Sequence, residues 1–167
     1  MYKIDTIDCQ IVNLLMEDGR MSAAQVARRV GNISERTARY RIGRLVKDGM
    51  IQICAIPDPR MLGFTVVADV FIEVETGSIQ DVARTLAGHE QVSYVACSIG
   101  ERDVSVQILA RDNEEVYAFA TEYIGKLPGV RKTTTSIVPI VLKDVYKWRI
   151  PLSACVEASE DNRVPIG

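Results

Sequence analysis

The sequence predicts an α+β protein in two units, a three-helix helix-turn-helix followed by a βαββαβ sheet domain of the ferredoxin-like kind. Three observations predict it. Apolar residues recur at helical spacing three times within the first 50 positions, separated by Gly19, by Gly31-Asn32 and by Gly49. Pro57 and Pro59 then interrupt the chain on either side of Asp58. Beyond them, runs rich in β-branched residues alternate with amphipathic runs in the order β-α-β-β-α-β.

The elements follow in order. Ile4, Ile7, Ile11, Leu14 and Leu15 lie three and four residues apart on one face of a first helix, which Gly19 closes. Ser22 is placed to cap a second, short helix through Val30, with Val26 and Val30 on its buried side. Gly31-Asn32 then forces a turn, and Ser34 opens a third helix whose apolar stripe is Ala38, Ile42, Leu45 and Val46. Three short helices with a tight turn between the last two describe a helix-turn-helix. After Gly49, MIQICAI alternates like a short strand, a winged-helix-like extension or a lead into a linker.

The two prolines predict a linker without regular structure over residues 57–64. TVVADVFIEVE is then a strand, and SIQDVARTLAG a helix with Ile79, Val82, Ala83 and Leu86 on one side. VSYVACSI and DVSVQILA are strands joined by the turn GERD, NEEVYAFATEYIGKL is a second amphipathic helix, and VRKTTTSIVPIVL is the last strand. The resulting division is 1–56 for the helix-turn-helix, 57–64 for the linker, 65–145 for the sheet domain and 146–167 for a tail, whose last ten residues are polar and read as disordered. One sheet with two helices on one face leaves the other face to bury, so a partner subunit is expected, with Trp148 packed against it.

Composition narrows the function. A chain of 167 residues with 47% hydrophobic and 25% charged residues is that of a soluble globular protein. The formal net charge is only −2, yet residues 20–47 hold eight basic side chains against the single acid Glu35, leaving +7 there and −9 elsewhere. Such asymmetry points to a polyanion-binding segment. On a helical wheel of about 100° per residue, Arg36, Tyr40, Arg44 and Lys47 lie opposite the apolar stripe, Thr37 sits beside them, and Arg39 and Arg41 occupy the flanks. A solvated face usually mixes its signs. This one is almost purely cationic, which predicts binding to double-stranded DNA. Ser34, Arg36, Thr37 and Tyr40 are the candidates for base edges in the major groove, and Arg39, Arg41 and Arg44 for phosphates.

Other chemistries lack their residues. Cys9, Cys54, Cys97 and Cys155 form no C-x-x-C pair, so neither a zinc site nor a disulfide framework is expected, and reduced thiols in a cytoplasmic protein are. No stretch approaches the roughly 18 apolar residues of a membrane span. His89 is the only histidine, no phosphate loop, H-E-x-x-H or G-x-S-x-G motif is present, and neither enzymatic activity nor a cofactor or metal is expected.

The order and spacing of several motifs resemble the Lrp/AsnC family of feast/famine regulators from about Ile4 to Leu142. They are IDTIDCQIVNLLMEDGRMSAAQVARRVG, SERTARYRIGRLVKDGMI, SIGERDVSVQI and LPGVRKTTTSIV, with Gly100, Asp103, Leu127, Pro128, Gly129, Val130, Thr133 and Thr135 at family positions. The resemblance implies a transcriptional regulator, a homodimer assembling to an octamer or open array, and an amino-acid-like effector held between dimers. The effector site is then expected at the turn Gly100, Glu101, Arg102 and Asp103, facing the last strand of a neighbouring subunit at Thr133, Thr135 and Ser136. Gly100 lets backbone N–H groups approach a carboxylate, Asp103 would accept from an ammonium, and Thr133 and Thr135 project from one side of their strand. Sirohaem decarboxylases resemble the same family and are the enzymatic alternative, but their tetrapyrrole pocket wants basic and histidine side chains, and this sheet domain is acidic.

Overall fold

The computed structural model describes residues 4–155. Two compact units divide the chain: one holds the residues up to Ile56 together with those from Leu142 onward, the other is Pro57–Val141.

The N-terminal unit forms its three helices where capping chemistry starts them. Asp5 caps α1 (Thr6–Glu17) by accepting from the backbone of Asp8, Ser22 caps α2 (Ala23–Val30) in a capping box with Gln25, and Ser34 caps α3 (Glu35–Lys47) through the backbone of Thr37. Ile11, Val12, Leu15, Val26, Ala27, Ala38 and Leu45 make the core between them. The turn between the second and third helices is made by two successive residues at positive φ, Gly31 at 70° and Asn32 at 54°. Asparagine is among the few side chains that adopt this conformation routinely.

Three expectations are corrected here. Residues 51–58 form no strand, because no other strand among the described residues of this unit offers a ladder; the N–H groups of Met50 and Ile51 bond instead to the Leu45 carbonyl. The linker is not free of regular structure: Pro59–Leu62 is one 3-10 turn, capped by Asp58 and ended by Gly63 at φ 90°. Proline fits the first helical position because its missing N–H would have no partner there. The third concerns cysteine. Cys9 and Cys155 form a disulfide across 146 residues of sequence. The described part of the tail therefore joins the N-terminal unit, with Ile150 packed on its core and Arg149 paired with Glu17 at 3.1 Å. The last ten residues lie outside the described residues.

The second unit is a four-stranded antiparallel sheet in the order β2-β3-β1-β4, with β1 Val66–Val74, β2 Val92–Cys97, β3 Val104–Ala110 and β4 Val130–Ile137. Two helices accompany it, α4 Ile79–Ala87 and α5 Asn113–Ala118, the latter prolonged by a π-helical stretch over Phe119–Tyr123 and a 3-10 turn at Ile124–Lys126. Alternation along the strands sets the core: Ala68, Val70, Ile72 and Val74 of β1 and Val104, Val106, Ile108 and Ala110 of β3 pack with Val82, Leu86, Val116, Phe119 and Ile124. β4 stops at Ile137, before Pro139, rather than running to Leu142.

The opposite face of the sheet is built by cross-strand polar pairs around one aromatic ring. Gln107 donates to Asp69 at 3.0 Å, Lys132 pairs with Glu73 at 3.1 Å, and the Arg102 guanidinium lies 4.2 Å from the centroid of Phe71.

Candidate nucleic-acid interface and effector site

α3 carries its polar residues on an exposed face held rigid by its own cap. The Ser34 hydroxyl accepts the Thr37 N–H at 3.1 Å and shares a 2.9 Å hydrogen bond with the Thr37 hydroxyl, so both side chains are fixed at the start of the helix. Beyond them Arg36 is exposed, and Tyr40 is 55% exposed. Arg39 is exposed and paired with Glu35 one turn earlier. Arg44 is only partly exposed; it reaches Asp8 at 3.0 Å and lies 6.0 Å from the Tyr40 ring centroid.

Arg41 is not on this face. It is 5% exposed, and its terminal nitrogen donates at 2.7 Å both to Asp5 and to Asp8 of α1. The reason is angular. The buried side of α3 is centred on Ala38 and Leu45, which places Arg41 about 60° from Ala38 on the core side and turns Val46 about 80° away on the other. Weighting the wheel towards Val46, an apolar residue that is in fact 44% exposed, displaces that centre and leaves Arg41 on a flank. Arg41 therefore cannot grip phosphate.

The electrostatics of the ion cluster follow from its burial. Burial alone would raise the Asp5 pKa, but the Asp8 backbone N–H and the Arg41 guanidinium outweigh it and hold Asp5 below the ordinary carboxylate range. Burial opposes the charge on Arg41 in turn, and the two carboxylates more than offset it, raising its pKa further.

Of the eight cations in residues 20–47, Arg41 and Arg44 thus meet Asp5 and Asp8, Arg29 meets Glu17 at 3.0 Å, and Arg39 meets Glu35. Arg20, Arg28, Arg36 and Lys47 have no ion-pair partner among the described residues. Arg28 lies outside α3, and the sequence marks it only as part of the basic run. It stands exposed in the last turn of α2, next to buried Val26 and Ala27, and the same wheel applied to α2 points it outward.

At the other candidate site, Gly100 has φ 145° and Glu101 is exposed. Asp103 is a structural clamp: its carboxylate accepts the Val74 N–H at 2.7 Å, its own N–H donates to the Ile72 carbonyl at 3.0 Å, and Arg131 stands 3.9 Å away. Thr133 is opposite Ile72 and Thr135 opposite Val70, so both side chains lie on the helix-covered side, whereas Ser136, opposite Asp69, points to the other face, where Arg102 covers Phe71. Asp103 and Thr133 flank Ile72 from two sides, about 10 Å apart by two strand spacings. Within one chain the turn thus meets the start of β4 through Arg131, and Thr133 and Thr135 stand apart from it. Among the described residues no cluster of His, Cys, Asp and Glu could hold a metal ion, and no helix is long and apolar enough to cross a membrane.

Comparison with known proteins matches both units. Residues 4–52 match a winged helix-turn-helix DNA-binding domain and residues 67–147 the Lrp/AsnC ligand binding domain. An uncharacterised HTH-type transcriptional regulator of Pyrococcus abyssi is 36% identical over 147 residues, which is 87% of this chain and 90% of that protein. The HTH-type transcriptional regulator FL11 of the same organism is 33% identical over 136 residues, 81% of this chain and 89% of its own. Among solved structures, a transcriptional regulator of Neisseria meningitidis in complex with L-Met superposes with a TM-score of 0.81 at 22% identity, over 90% of this chain and 97% of that one.

Proposed function

We infer how this chain works from the premise that it belongs to the Lrp/AsnC family: it is an HTH-type, DNA-binding regulator of transcription with a ligand-binding domain, and not an enzyme. The reading of DNA rests on one observation, the face of a capped α3 on which Arg36, Arg39 and Tyr40 are exposed, with half-buried Thr37 beside them. Arg36 is the residue for base edges, since a guanidinium forks onto guanine O6 and N7. Arg28, Lys47 and Arg39 are the cations for phosphates, in place of Arg41. Arg44 acts through its tie to Asp8, holding α3 on α1.

Replacing Arg36 by alanine is expected to relax base preference at one position by about 1–3 kcal/mol. Replacing Arg28 or Lys47 should weaken binding to all sequences alike and flatten the salt slope by about one unit. Fluorescence anisotropy on a selected duplex and on its scrambled version, across a salt series, measures both. An unchanged preference in Arg36→Ala would move base reading to another side chain.

For the sheet domain, the effector is an amino acid or a related metabolite, held between the turn at 100–103 and β4 of a neighbouring subunit. Two features support this: the match to a ligand-binding domain, and an L-Met complex in a protein of the same fold. The separation of the turn from Thr133 and Thr135 within one chain is what a site completed by a second copy would show, and the half-buried second face around Phe71 gives that copy a surface to cover. Asp103 supports the turn, so the threonines are the informative positions. A thermal-shift screen of the twenty amino acids is expected to find one or a few that raise Tm as RT ln(1 + [L]/Kd) in the wild type but not in a Thr133→Ala/Thr135→Ala variant. Equal shifts in both proteins would place the ligand elsewhere.

A further inference from the structure

The Cys9–Cys155 disulfide joins α1 to a segment 146 residues further along the chain. Cys155 lies beyond residue 147, where the match to the ligand-binding domain ends. Cys9 is 0% exposed and follows Asp8, the carboxylate that holds both Arg41 and Arg44 of the DNA-reading helix. The segment carrying Cys155 is delivered to it by two independent anchors, the Arg149–Glu17 ion pair at 3.1 Å and Ile150 on the core. Placement by those anchors brings together two cysteines that are 146 residues apart in sequence.

We propose that this disulfide is a redox-controlled clasp: oxidised, it fastens residues 149–155 to the DNA-binding unit and stiffens α1 beneath α3; reduced, it lets the segment go and weakens both the unit and its grip on DNA. The DNA part rests on the reading given under Proposed function; the clasp itself does not.

The chemistry is thiol–disulfide exchange with a dithiol reductant, and with a low-molecular-weight disulfide for the return. Cys155 is half-buried and Cys9 fully buried, so the incoming thiolate attacks the Cys155 sulfur. That attack forms a mixed disulfide on Cys155 and expels Cys9 as a thiolate, which takes a proton from solvent. The second thiol of the reductant then closes on the first, leaving as a cyclic disulfide and releasing the Cys155 thiol. Two electrons and two protons have moved from reductant to protein. In a compartment kept reducing by thiols, such a bond persists only while oxidant is supplied, so its state reports the redox poise. The bond also restrains the unfolded chain across a long loop, so opening it must lower stability.

The test uses the full-length protein, treated with a small-molecule disulfide or with a dithiol. Tryptic mapping without reduction should find the peptide ending at Arg20, which contains Cys9, linked to the peptide beginning at Ile150, which contains Cys155. Reduction should lower the thermal midpoint by about 5–10 °C. It should also speed tryptic cleavage after Arg149 and weaken binding to a DNA duplex selected from a random pool by about fivefold or more. Cys155→Ser should behave as the reduced form under both treatments, and Cys155→Ala checks that the hydroxyl adds nothing. Free thiols at both cysteines after disulfide treatment would overturn the clasp. A linked pair whose reduction leaves the midpoint, the cleavage rate and DNA affinity unchanged would overturn its control of the unit. If neither redox state binds DNA, the DNA reading fails, and the clasp still stands or falls by the peptide map, the midpoint and the cleavage rate.

Discussion

Replacing Arg41 by alanine is expected to destabilise the N-terminal unit by about 3–5 kcal/mol, the range found when one partner of a buried ion cluster is removed. The expectation follows from what stays behind. Asp5 is 1% and Asp8 0% exposed, and without the guanidinium between them two carboxylates share a small volume with only part of their hydrogen bonding intact. Arg41→Lys should recover little, because the shorter, flexible lysine stem does not carry its ammonium to the position from which the Arg41 terminal nitrogen donates to both carboxylates. Urea unfolding followed by far-UV circular dichroism measures the loss. A change under about 0.5 kcal/mol, the size usual for surface substitutions, would show that the cluster is not holding α3 on α1.

The same cluster sets an acid limit. The Asp5 pKa is lowered in the folded state, so its contribution is complete above the unfolded value of about 3.9 and is lost as pH falls through the lower folded value. Wild-type stability should therefore decline below about pH 4, and Arg41→Ala should show a shallower decline over that window, since the interaction that lowers the Asp5 pKa has gone. Any loss of DNA binding in Arg41→Ala then tracks unfolding rather than a missing phosphate contact.

How far the sequence could be read depends on whether a feature is local. Ser22 and Ser34 mark helix starts because a cap acts within three residues, and the alternation of β1 marks its buried side because the pleat has a period of two. Arg41 resisted because residue type and position disagree: the wheel puts it near the core, and an arginine there makes sense only once Asp5 and Asp8 are seen beside it, 36 and 33 residues away. The Cys9–Cys155 bridge has no local signature, and cysteine spacing argues against it. Residues 50–56 alternate as a strand would, but alternation does not supply a partner strand. At the turn over 100–103, the sequence marks Asp103 as a special position, whereas its bond to the Val74 N–H depends on how β3 registers against β1.

Gly129 shows the opposite case, a residue marked by pattern alone for which the structure supplies the cause, and Gly129→Ala is the second substitution expected to have a large effect. Leu127, Pro128, Gly129 and Val130 form a turn closed by the Val130 N–H to the Leu127 carbonyl at 3.1 Å, with Gly129 at φ 86° in its third position. Proline second and glycine third is the pattern of a type II turn, which needs a positive φ at its third residue. An alanine there meets two costs. The left-handed backbone costs about 1–2 kcal/mol for a residue with a Cβ. The added carbon would also stand 2.4 Å from the Ser78 Cβ and 2.6 Å from its hydroxyl, so backbone must move, at about 1–3 kcal/mol for overpacking. Together they predict a loss of about 2–5 kcal/mol in the sheet domain. Ser78→Gly in the same chain removes the obstructing carbon and should restore the packing share but not the backbone share, so the two substitutions should be non-additive. The functional consequence follows from position: Gly129 accepts the Glu75 N–H at 2.8 Å and opens β4, whose register sets Thr133 against Ile72 and Thr135 against Val70. Thermal unfolding with and without the stabilising amino acid is the measurement. Gly129→Ala should lower the midpoint and shrink the ligand-induced shift, and an unchanged midpoint would mean that the turn yields without strain and that the glycine is there for another reason.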